Sequence, residues 1–420
     1  MNMAVISLIA LAGAIIIGFL MKVNVGIISI GFAYVIGLAY GVPASKIMGG
    51  FSASMALTMI GVLYLFAIVN NNGTLEVLAK KITGLAGNRR GLLYIAMFII
   101  GAILSGVGPG AIPTLAIVPV LAIPVALKAG INPILLSLIG QMGAQSFRMS
   151  PITPEAIVVS GLMTEQGLEG STVPAMWCLL VTELVMIAAS FIFLKGWRFR
   201  TPLVEISTEE KQKFTGKQIL SLLGLAAMIL GVVVFDCNVG LISFVIGTIL
   251  VILKCGDDRQ AVKSVPWNTI LLVLGVGVLM NIVKLAGGVD LLAGSIAAFC
   301  SERTASPLMC AAAGAMSFFA SGLGVVFPTM IPTVGQIASG LNGVNPAELM
   351  SAVVIGGTVT GFTPISTAGA LILAGVSQFS GMEDQYPQNK MFMELFVVAF
   401  LCMFISVMLA WLGVYRMICG

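Results

Sequence analysis

Residues 146–155, which read SFRMSPITPE, place two charges and three hydroxyls beside two prolines in a strongly apolar chain. Thr153 suits the N-cap of a helix, Pro154 suits the first helical position, and Glu155 then lies in the first turn. The stretch therefore predicts a helix that begins after an interruption. Arg148 lies within that interruption, and a charge inside an apolar segment indicates function because its burial is costly.

Three interpretations of Arg148 are open from the sequence. Its planar guanidinium could clamp a substrate carboxylate, could form an ion pair with Glu155, or could reach the membrane interface. Glu155 would either stabilise the helix N-terminus or carry a proton. Glu183 and Glu394 occupy matching positions in two related spans, which suggests a shared structural role, with proton coupling as the alternative.

The composition predicts the fold class of the protein that holds these residues. Hydrophobic residues make up 59% of the 420 residues and charged residues only 9%, whereas a soluble domain is about 25% charged. Several apolar runs reach the roughly 20 residues that a helix needs to cross a bilayer. Backbone groups in lipid must be paired within the segment, so the predicted fold class is an all-α polytopic membrane protein.

Other features exclude functions. The chain has no histidine, which removes histidine metal sites, histidine proton relays and Ser-His catalysis. Its seven cysteines form no C-x-x-C pair and are expected to be packing residues rather than disulfides or metal ligands. Without a P-loop, an H-E-x-x-H motif or a pair of intramembrane aspartates, we expect no enzyme activity, no cofactor and no nucleic-acid partner.

An internal repeat divides the chain into two halves. Residues 130–153 align with residues 343–366 at a constant offset of 213, so that Asn132-Pro133 matches Asn345-Pro346 and SPIT matches TPIS. Upstream, SGVGPG at 105–110 resembles SGLGVV at 321–326. Arg148 has Gly361 as its counterpart, so the repeat does not require it.

Each half contains three spans, an amphipathic segment, two interrupted segments and a last span. If the first interrupted segment is a re-entrant hairpin and the second crosses as a broken helix, each half crosses five times. The two repeats are then inverted and the chain makes about ten crossings. The first repeat is predicted to span 1–194, with its hairpin at 91–128 and its broken helix at 132–163. A cytoplasmic linker follows at 195–217. The second repeat is predicted to span 218–420, with its hairpin at 305–340 and its broken helix at 346–377.

The distribution of Lys and Arg supports this topology. Sixteen of them fall on one side, and four fall on the other, namely Lys46, Lys284, Arg303 and Arg416. Cytoplasmic loops collect basic residues, so the hairpin model places both termini outside the cytoplasm. The expected location is a bacterial cytoplasmic (inner) membrane.

The interruptions form the candidate substrate site, because they free backbone groups that can hold a ligand and expose half-helix termini. The candidate residues are Ser105, Gly106, Gly108, Arg148, Ser150, Pro151, Thr153, Ser321, Gly322, Thr363, Pro364, Ser366 and Thr367. Ser105, Ser321 and Glu155 are candidates for the coupling ion, and Na⁺ could also bind through backbone carbonyls.

The arrangement of interrupted segments resembles that of the ion transporter superfamily, which includes the divalent-anion/sodium symporters and malonate-carrier-type permeases. The stretch from Lys128 to Leu162 is similar to the malonate-carrier N-terminal signature. The resemblance implies one substrate site lined by both hairpin tips and both breaks, an elevator movement against a scaffold, and a homodimer. Sodium-coupled members carry Ser-Asn-Thr at both tips, where this chain has Ser105-Gly106-Val107 and Ser321-Gly322-Leu323.

These observations predict a membrane-embedded secondary transporter of small organic anions, with dicarboxylates as the expected substrates, coupled to Na⁺ or H⁺. Its partners would be a small carboxylate and membrane lipid. The alternative is a cation/proton antiporter of the same superfamily, which would use Glu155 rather than Arg148.

Overall fold

The computed structural model describes residues 3–86, 89–108, 110–199, 213–235, 237–318, 320–341, 343–364, 366–377 and 387–420. Residues 200–212 of the predicted linker, Pro109 of the first hairpin tip and Ile365 of the second break lie outside the described residues. The regular structure described is helical. This agrees with the predicted all-α class.

The described residues of the first half form ten α-helices. They are α1 (Met3–Met21), α2 (Val25–Ala39), α3 (Ala44–Met48), α4 (Ala53–Asn71), α5 (Thr74–Ala86), α6 (Arg90–Gly106), α7 (Ala111–Ala129), α8 (Pro133–Ser146), α9 (Pro154–Thr164) and α10 (Val173–Phe193). The predicted hairpin at 91–128 corresponds to α6 and α7, and the predicted broken helix at 132–163 corresponds to α8 and α9.

The second half contains twelve helices in its described residues. They are α11 (Gly216–Phe235), α12 (Val239–Ile252), α13 (Asp258–Ser264), α14 (Trp267–Leu285), α15 (Gly288–Ala297), α16 (Ala305–Ser317), α17 (Phe327–Met330), α18 (Val334–Gly340), α19 (Pro346–Val359), α20 (Thr367–Ser377), α21 (Gln388–Trp411) and α22 (Val414–Cys419). The second arm of the hairpin at 305–340 is irregular, with a π-helical turn at 322–326 and a 3-10 turn at 331–333. Pro328 and Pro332 lie in this arm and remove backbone donors.

Six helical segments of the described chain are long and apolar enough to cross a membrane. They are Ala44–Asn71, Ala111–Ala129, Val173–Phe193, Trp267–Leu285, Gly322–Gly340 and Lys390–Trp411. Several shorter apolar helices, among them Met3–Gly18 and Val25–Ala39, accompany them. The chain is therefore a polytopic helical membrane protein, and the count of ten crossings and the inverted orientation stay predictions.

Equivalent helices of the two halves begin in the same way. Asn132 and Asn345 cap α8 and α19, each accepting a hydrogen bond from the backbone N–H two residues on, at 3.0 and 2.8 Å. Asn24 and Asn238 do the same for α2 and α12, at 2.9 and 3.0 Å. The last pair belongs to a further match between the two halves, NVGIIS at 24–29 and NVGLIS at 238–243, which was not among the predicted repeat motifs.

The glycine of this second repeat allows each half to pack against the other. A Cβ at Gly26 of α2 would lie 2.2 Å from the backbone oxygen of Leu271 on α14. A Cβ at Gly240 of α12 would lie 2.3 Å from the Thr58 Cα on α4. The second span of each half therefore packs backbone to backbone against the third span of the other half.

The interrupted segments form a second packed group. In the first half, α8 packs against α6, α7 and α10, and in the second half α19 packs against α16 and α21. A Cβ at Gly143 would lie 2.2 Å from the Phe98 oxygen, and one at its repeat partner Gly356 would lie 2.1 Å from the Cys310 oxygen. We call the interrupted segments with α10, α21 and α22 the core group, and α1–α4 with α11–α15 the frame group.

Candidate functional site

The two helix breaks, residues 147–153 and 360–366, have the same hydrogen-bond pattern. The Thr153 hydroxyl donates to the backbone oxygens of Arg148 and Ser150, at 2.5 and 2.8 Å. The hydroxyl of its repeat partner Ser366 donates to the corresponding oxygens of Gly361 and Thr363. In both breaks the hydroxyl thus pairs with the carbonyl five residues earlier, and the carbonyl three residues earlier also accepts the N–H of the same residue.

Thr153 is also the N-cap that the sequence predicts. It is fully buried, and its Oγ1 accepts a hydrogen bond of 3.3 Å from the Ala156 N–H. Pro154 is the first residue of α9, and Glu155 lies in its first turn. The prediction that a new helix begins here is confirmed by these contacts.

Arg148 is buried where the two halves meet. Its side chain is 5% exposed. Nη1 donates to Gln145 Oε1 at 2.9 Å and to the Thr358 hydroxyl of the other half at 3.1 Å. The guanidinium also lies over the Phe327 ring, 5.6 Å from its centroid. This burial favours the two interpretations in which Arg148 contacts protein or substrate groups over the one in which it reaches the membrane interface.

The other edge of the guanidinium faces Glu155, and Arg148 is not among the residues that line the two cavities described below. Among the described residues Nε has no hydrogen-bond partner, and Nη2 lies 3.8 Å from Glu155 Oε1. That distance makes an ion pair but is too long for a hydrogen bond. Arg148 therefore has an ion pair with Glu155, as one interpretation predicts, and still has the Nε–Nη2 edge that could hold a carboxylate.

Glu155 joins the first break to the tip of the first hairpin. Its Oε1 accepts a hydrogen bond of 2.8 Å from the N–H of Ala111, the first residue of α7. A carboxylate at this position is stabilised by the positive end of α7. Its Oε2 is buried and has no partner among the described residues. Glu155 thus acts on the N-terminus of α7 as well as on its own helix.

The first hairpin tip, residues 105–110, is closely packed. The Ser105 side chain is fully buried, and its hydroxyl has no partner among the described residues. A Cβ at Gly106 would lie 2.8 Å from Phe147 of the first break, and one at Gly108 would lie 2.0 Å from Phe66 of α4. Glycine at both positions lets the tip approach the break and the frame group.

The second hairpin tip, residues 321–326, faces a cavity. Ser321 is exposed and caps the π-helical turn, accepting a hydrogen bond of 3.2 Å from the Gly324 N–H. A Cβ at Gly322 would lie 2.2 Å from the Gly357 oxygen of α19, which places this tip against the second broken helix. The cavity has a volume of about 260 Å³, and Asn24, Asn268 and Thr269 line it together with Ser321.

A second, smaller cavity lies beside Glu155. Its volume is about 10 Å³, and Pro113, Glu155, Thr269 and Leu323 are among the residues that line it. This is close to the smallest space that holds one water molecule. Thr269 lines both cavities, so the two are neighbours.

The remaining candidates differ in exposure. Ser150 is half-buried and Pro151 is exposed, whereas Thr363 and Pro364 are buried. The Thr363 hydroxyl has no partner among the described residues, and the side chain of Thr367 lies outside them. No hydrogen bond or ion pair of the described residues joins Ser105 or Ser321 to Arg148.

Glu183 and Glu394 do not share an environment, although the repeat matches them. Glu183 is fully buried, and neither carboxylate oxygen has a partner among the described residues. Glu394 is half-buried and lies 4.0 Å from Lys390. The expectation of one structural role in both halves is therefore not supported by their contacts.

Sequence reasoning missed the amides around Arg148. Gln145 accepts its hydrogen bond, and the Gln141 amide one turn earlier donates to the Leu115 and Ala368 oxygens at 3.1 and 3.2 Å. Gln141 therefore ties α8 to the first hairpin and to α20. The available signal was two glutamines four residues apart inside an intramembrane helix, since polar groups there need partners. Within the part of the chain described, no cluster of three or more His, Cys, Asp or Glu could hold a metal ion.

The chain has apolar helices, and each half contains two interrupted segments that pack near the buried Arg148. This arrangement is typical of a membrane transporter. Residues 1–147 match the family model for the N-terminus of the dicarboxylate carrier protein MatC. No curated protein matches the chain.

Two solved structures have a similar fold. The YdaH transporter of Alcanivorax borkumensis is 13% identical, with a TM-score of 0.62 over 90% of this chain and 89% of its own. MtrF of Neisseria gonorrhoeae, described among antimetabolite efflux pumps, is 14% identical, with a TM-score of 0.59 over 90% of this chain and 84% of its own. At these identities both structures show a shared fold, and the family model, which is that of a carrier, supports a membrane transporter and not an enzyme.

Proposed function

We propose that the protein is a secondary active transporter of small organic anions, in particular dicarboxylates. The observation that carries this proposal is Arg148, which is buried between the halves, with an Nε that has no hydrogen-bond partner among the described residues and an Nη2 that is paired only with the Glu155 charge. A planar fork of two donors matches the two oxygens of a carboxylate. The match of residues 1–147 to a dicarboxylate carrier model supports the same substrate class.

The larger cavity supports a small substrate. Its volume of about 260 Å³ lies just below the roughly 300–1,000 Å³ of sites for drug-sized ligands. Asn24, Asn268, Thr269 and Ser321 give it amide and hydroxyl groups suited to a polar anion. We propose that these groups receive the substrate before it reaches Arg148, which does not itself line the cavity.

Transport is proposed to be coupled to a cation, H⁺ or Na⁺. The unpartnered Oε2 of Glu155 beside a water-sized cavity favours a proton at this residue. Protonation of Glu155 would release Arg148 from its ion pair and make the guanidinium available to substrate. Sodium would instead have to use backbone carbonyls near Ser105 and Ser321.

The alternating-access step is proposed to be an elevator movement of the core group against the frame group. The two groups meet where the first tip contacts Phe66 and where α14 contacts the π-helical turn. Asn24 and Asn268, which line the larger cavity, lie at span ends that the charge distribution assigns to the cytoplasm. We infer that the cavity opens towards the cytoplasm. We further propose that the protein is a homodimer in the bacterial inner membrane, with both termini outside the cytoplasm.

A cation/proton antiporter is the second candidate, and Glu155 is the observation that favours it. A buried carboxylate with one free oxygen could exchange a proton for a metal cation without any organic substrate. In that case Arg148 would only hold Glu155 in place.

Uptake into proteoliposomes distinguishes the two functions. Labelled mono-, di- and tricarboxylates are offered to liposomes with and without the protein, under no gradient, a pH gradient or a Na⁺ gradient. The proposal predicts uptake of a dicarboxylate that one cation gradient increases. Absence of carboxylate uptake, together with Na⁺-driven proton movement in the same liposomes, would assign the protein to the antiporters.

A further inference from the structure

Two thiols from distant parts of the chain lie side by side in the core group. Cys178 Sγ on α10 is 3.9 Å from Cys419 Sγ on α22, although 241 residues separate them. Cys178 is fully buried and Cys419 is half-buried. The scattered spacing of the cysteines predicts packing roles, and this pair departs from that expectation.

The surrounding contacts fix Cys419 in this position. The Asn345 amide donates to the Cys419 backbone oxygen at 3.0 Å. Arg416 Nε lies 3.3 Å from the buried Glu348 carboxylate, and its Nη2 donates to the Glu302 oxygen at 2.6 Å. These contacts hold α22 against the beginning of α19, so the two sulfurs are held as neighbours.

The same helix is anchored from inside the core group. Tyr415 is fully buried, and its hydroxyl donates to the Ser406 oxygen at 3.0 Å. Thr182, one turn after Cys178 on α10, donates to the Tyr415 hydroxyl at 3.2 Å. α10 and α22 are therefore joined by a polar contact directly beside the two thiols.

We propose that Cys178 and Cys419 form a reversible disulfide. A disulfide has an S–S distance of about 2.05 Å, so the sulfurs must approach each other by side-chain rotation. The charge distribution assigns this end of α10 and α22 to the extracytoplasmic side, where disulfides persist. The inference does not depend on the substrate, because it rests on the two thiols, their surroundings and the predicted extracytoplasmic position of this end.

The oxidant would be a disulfide of an extracytoplasmic thiol–disulfide oxidoreductase. Cys419 is the half-buried thiol and the one that a donor can reach. The thiolate of Cys419 attacks one donor sulfur and releases the other as a thiolate. The Cys178 thiolate then attacks the Cys419 sulfur and releases the second donor sulfur. The two protein thiols lose two electrons and two protons, and the donor disulfide becomes a dithiol.

The environment of Cys419 suits the first step. The hydrogen bond from Cys178 lowers the pKa of the Cys419 thiol below its usual range, and the Ser351 hydroxyl, 3.5 Å from its sulfur, acts in the same direction against the effect of burial. A larger thiolate fraction makes a cysteine a better nucleophile near neutral pH.

Peptide mapping of the intact protein tests the disulfide. The purified protein is treated with an oxidised dithiol reagent or with a reductant, denatured, alkylated and digested for mass spectrometry. We expect a linked peptide pair containing Cys178 and Cys419 after oxidation, which disappears after reduction. Cys300→Ser is the matched control and should leave the linked pair, whereas Cys178→Ser and Cys419→Ser should each abolish it.

The wild-type protein alone can overturn the proposal. If both Cys178 and Cys419 are fully alkylated after oxidation, in a sample that still elutes as a single folded species, the two thiols do not form a disulfide. A linked pair with any other partner, such as Cys419 of a second molecule, would also contradict it. Because both cysteines lie within the core group, oxidation should raise the melting temperature without blocking transport.

Discussion

Replacing Glu155 with glutamine separates the two roles that we give this carboxylate. The amide keeps the size of the side chain and an oxygen that can accept the hydrogen bond from Ala111. It loses the negative charge that lies 3.8 Å from Arg148 Nη2. The variant therefore mimics permanent protonation of Glu155.

The expected gain in substrate affinity follows from the ion pair between Arg148 and Glu155, which the substrate no longer has to displace in the variant. The two charges lie 3.8 Å apart, where opposite unit charges attract by about 4 kcal/mol at an effective dielectric constant of about 20. A substrate that recovers about a third of this, roughly 1.4 kcal/mol, binds about tenfold more tightly. Glu155→Gln should bind a dicarboxylate more tightly by this factor at neutral pH. It should also lose accumulation driven by a pH gradient.

Counterflow and gradient-driven uptake measure the two effects separately. Counterflow of a labelled dicarboxylate requires no coupling ion gradient, so the variant should retain it with a lower KM. Glu165→Gln, at the exposed end of the same helix, is the matched control and should behave as wild type. The reasoning is refuted if Glu155→Gln keeps wild-type KM and wild-type accumulation under a pH gradient.

Three further predictions concern stability. Gly26→Val should lower the melting temperature, because a Cβ there would lie 2.2 Å from the Leu271 oxygen. Gly31→Ala is the control and should leave the melting temperature unchanged, because a Cβ at Gly31 would meet no atom within 4 Å. Thermal unfolding in detergent measures both variants. Arg416→Gln should destabilise the protein by up to about 3 kcal/mol, since it leaves the buried Glu348 charge unpaired. If Glu348→Gln does not restore the melting temperature of that variant, the ion pair is not the cause. Thr153→Ala should cost about 1 kcal/mol through loss of the N-cap, and unchanged unfolding would contradict the role of its hydroxyl.

Much of the fold was predictable because membrane helices are visible in a sequence as long apolar runs, and their breaks as glycine and proline within those runs. The gap between α6 and α7 and the start of α9 at Pro154 match the expected boundaries. The linker was predicted to extend to residue 217, whereas α11 begins at Gly216. Boundaries of this kind depend on caps and shift by one or two residues.

Packing between the halves could not be read from composition. Gly26 and Gly240 are ordinary residues in an apolar helix, and only the structure shows that their missing side chains let α2 meet α14 and α12 meet α4. The repeat NVGIIS and NVGLIS was visible in the sequence. Its consequence was not, because it depends on contacts between segments more than 200 residues apart.

The site was predictable in its charged residues but not in its partners. Arg148 and Glu155 stand out because charges are rare in this chain, and the structure brings them together. The contacts of Arg148 with Thr358 and Phe327 cross from one half to the other. No local pattern predicts such contacts, since they follow from how the two breaks pack.

Arg148→Gln tests most directly whether the protein carries a carboxylate on this arginine. Liposomes containing this variant, the wild type or the exposed control Arg259→Gln are compared for dicarboxylate counterflow at equal amounts of folded protein. Loss of a two-donor charged contact, at about 1.5–3 kcal/mol for each hydrogen bond, predicts at least a roughly tenfold fall in kcat/KM for Arg148→Gln alone. Wild-type counterflow by folded Arg148→Gln would contradict the central claim.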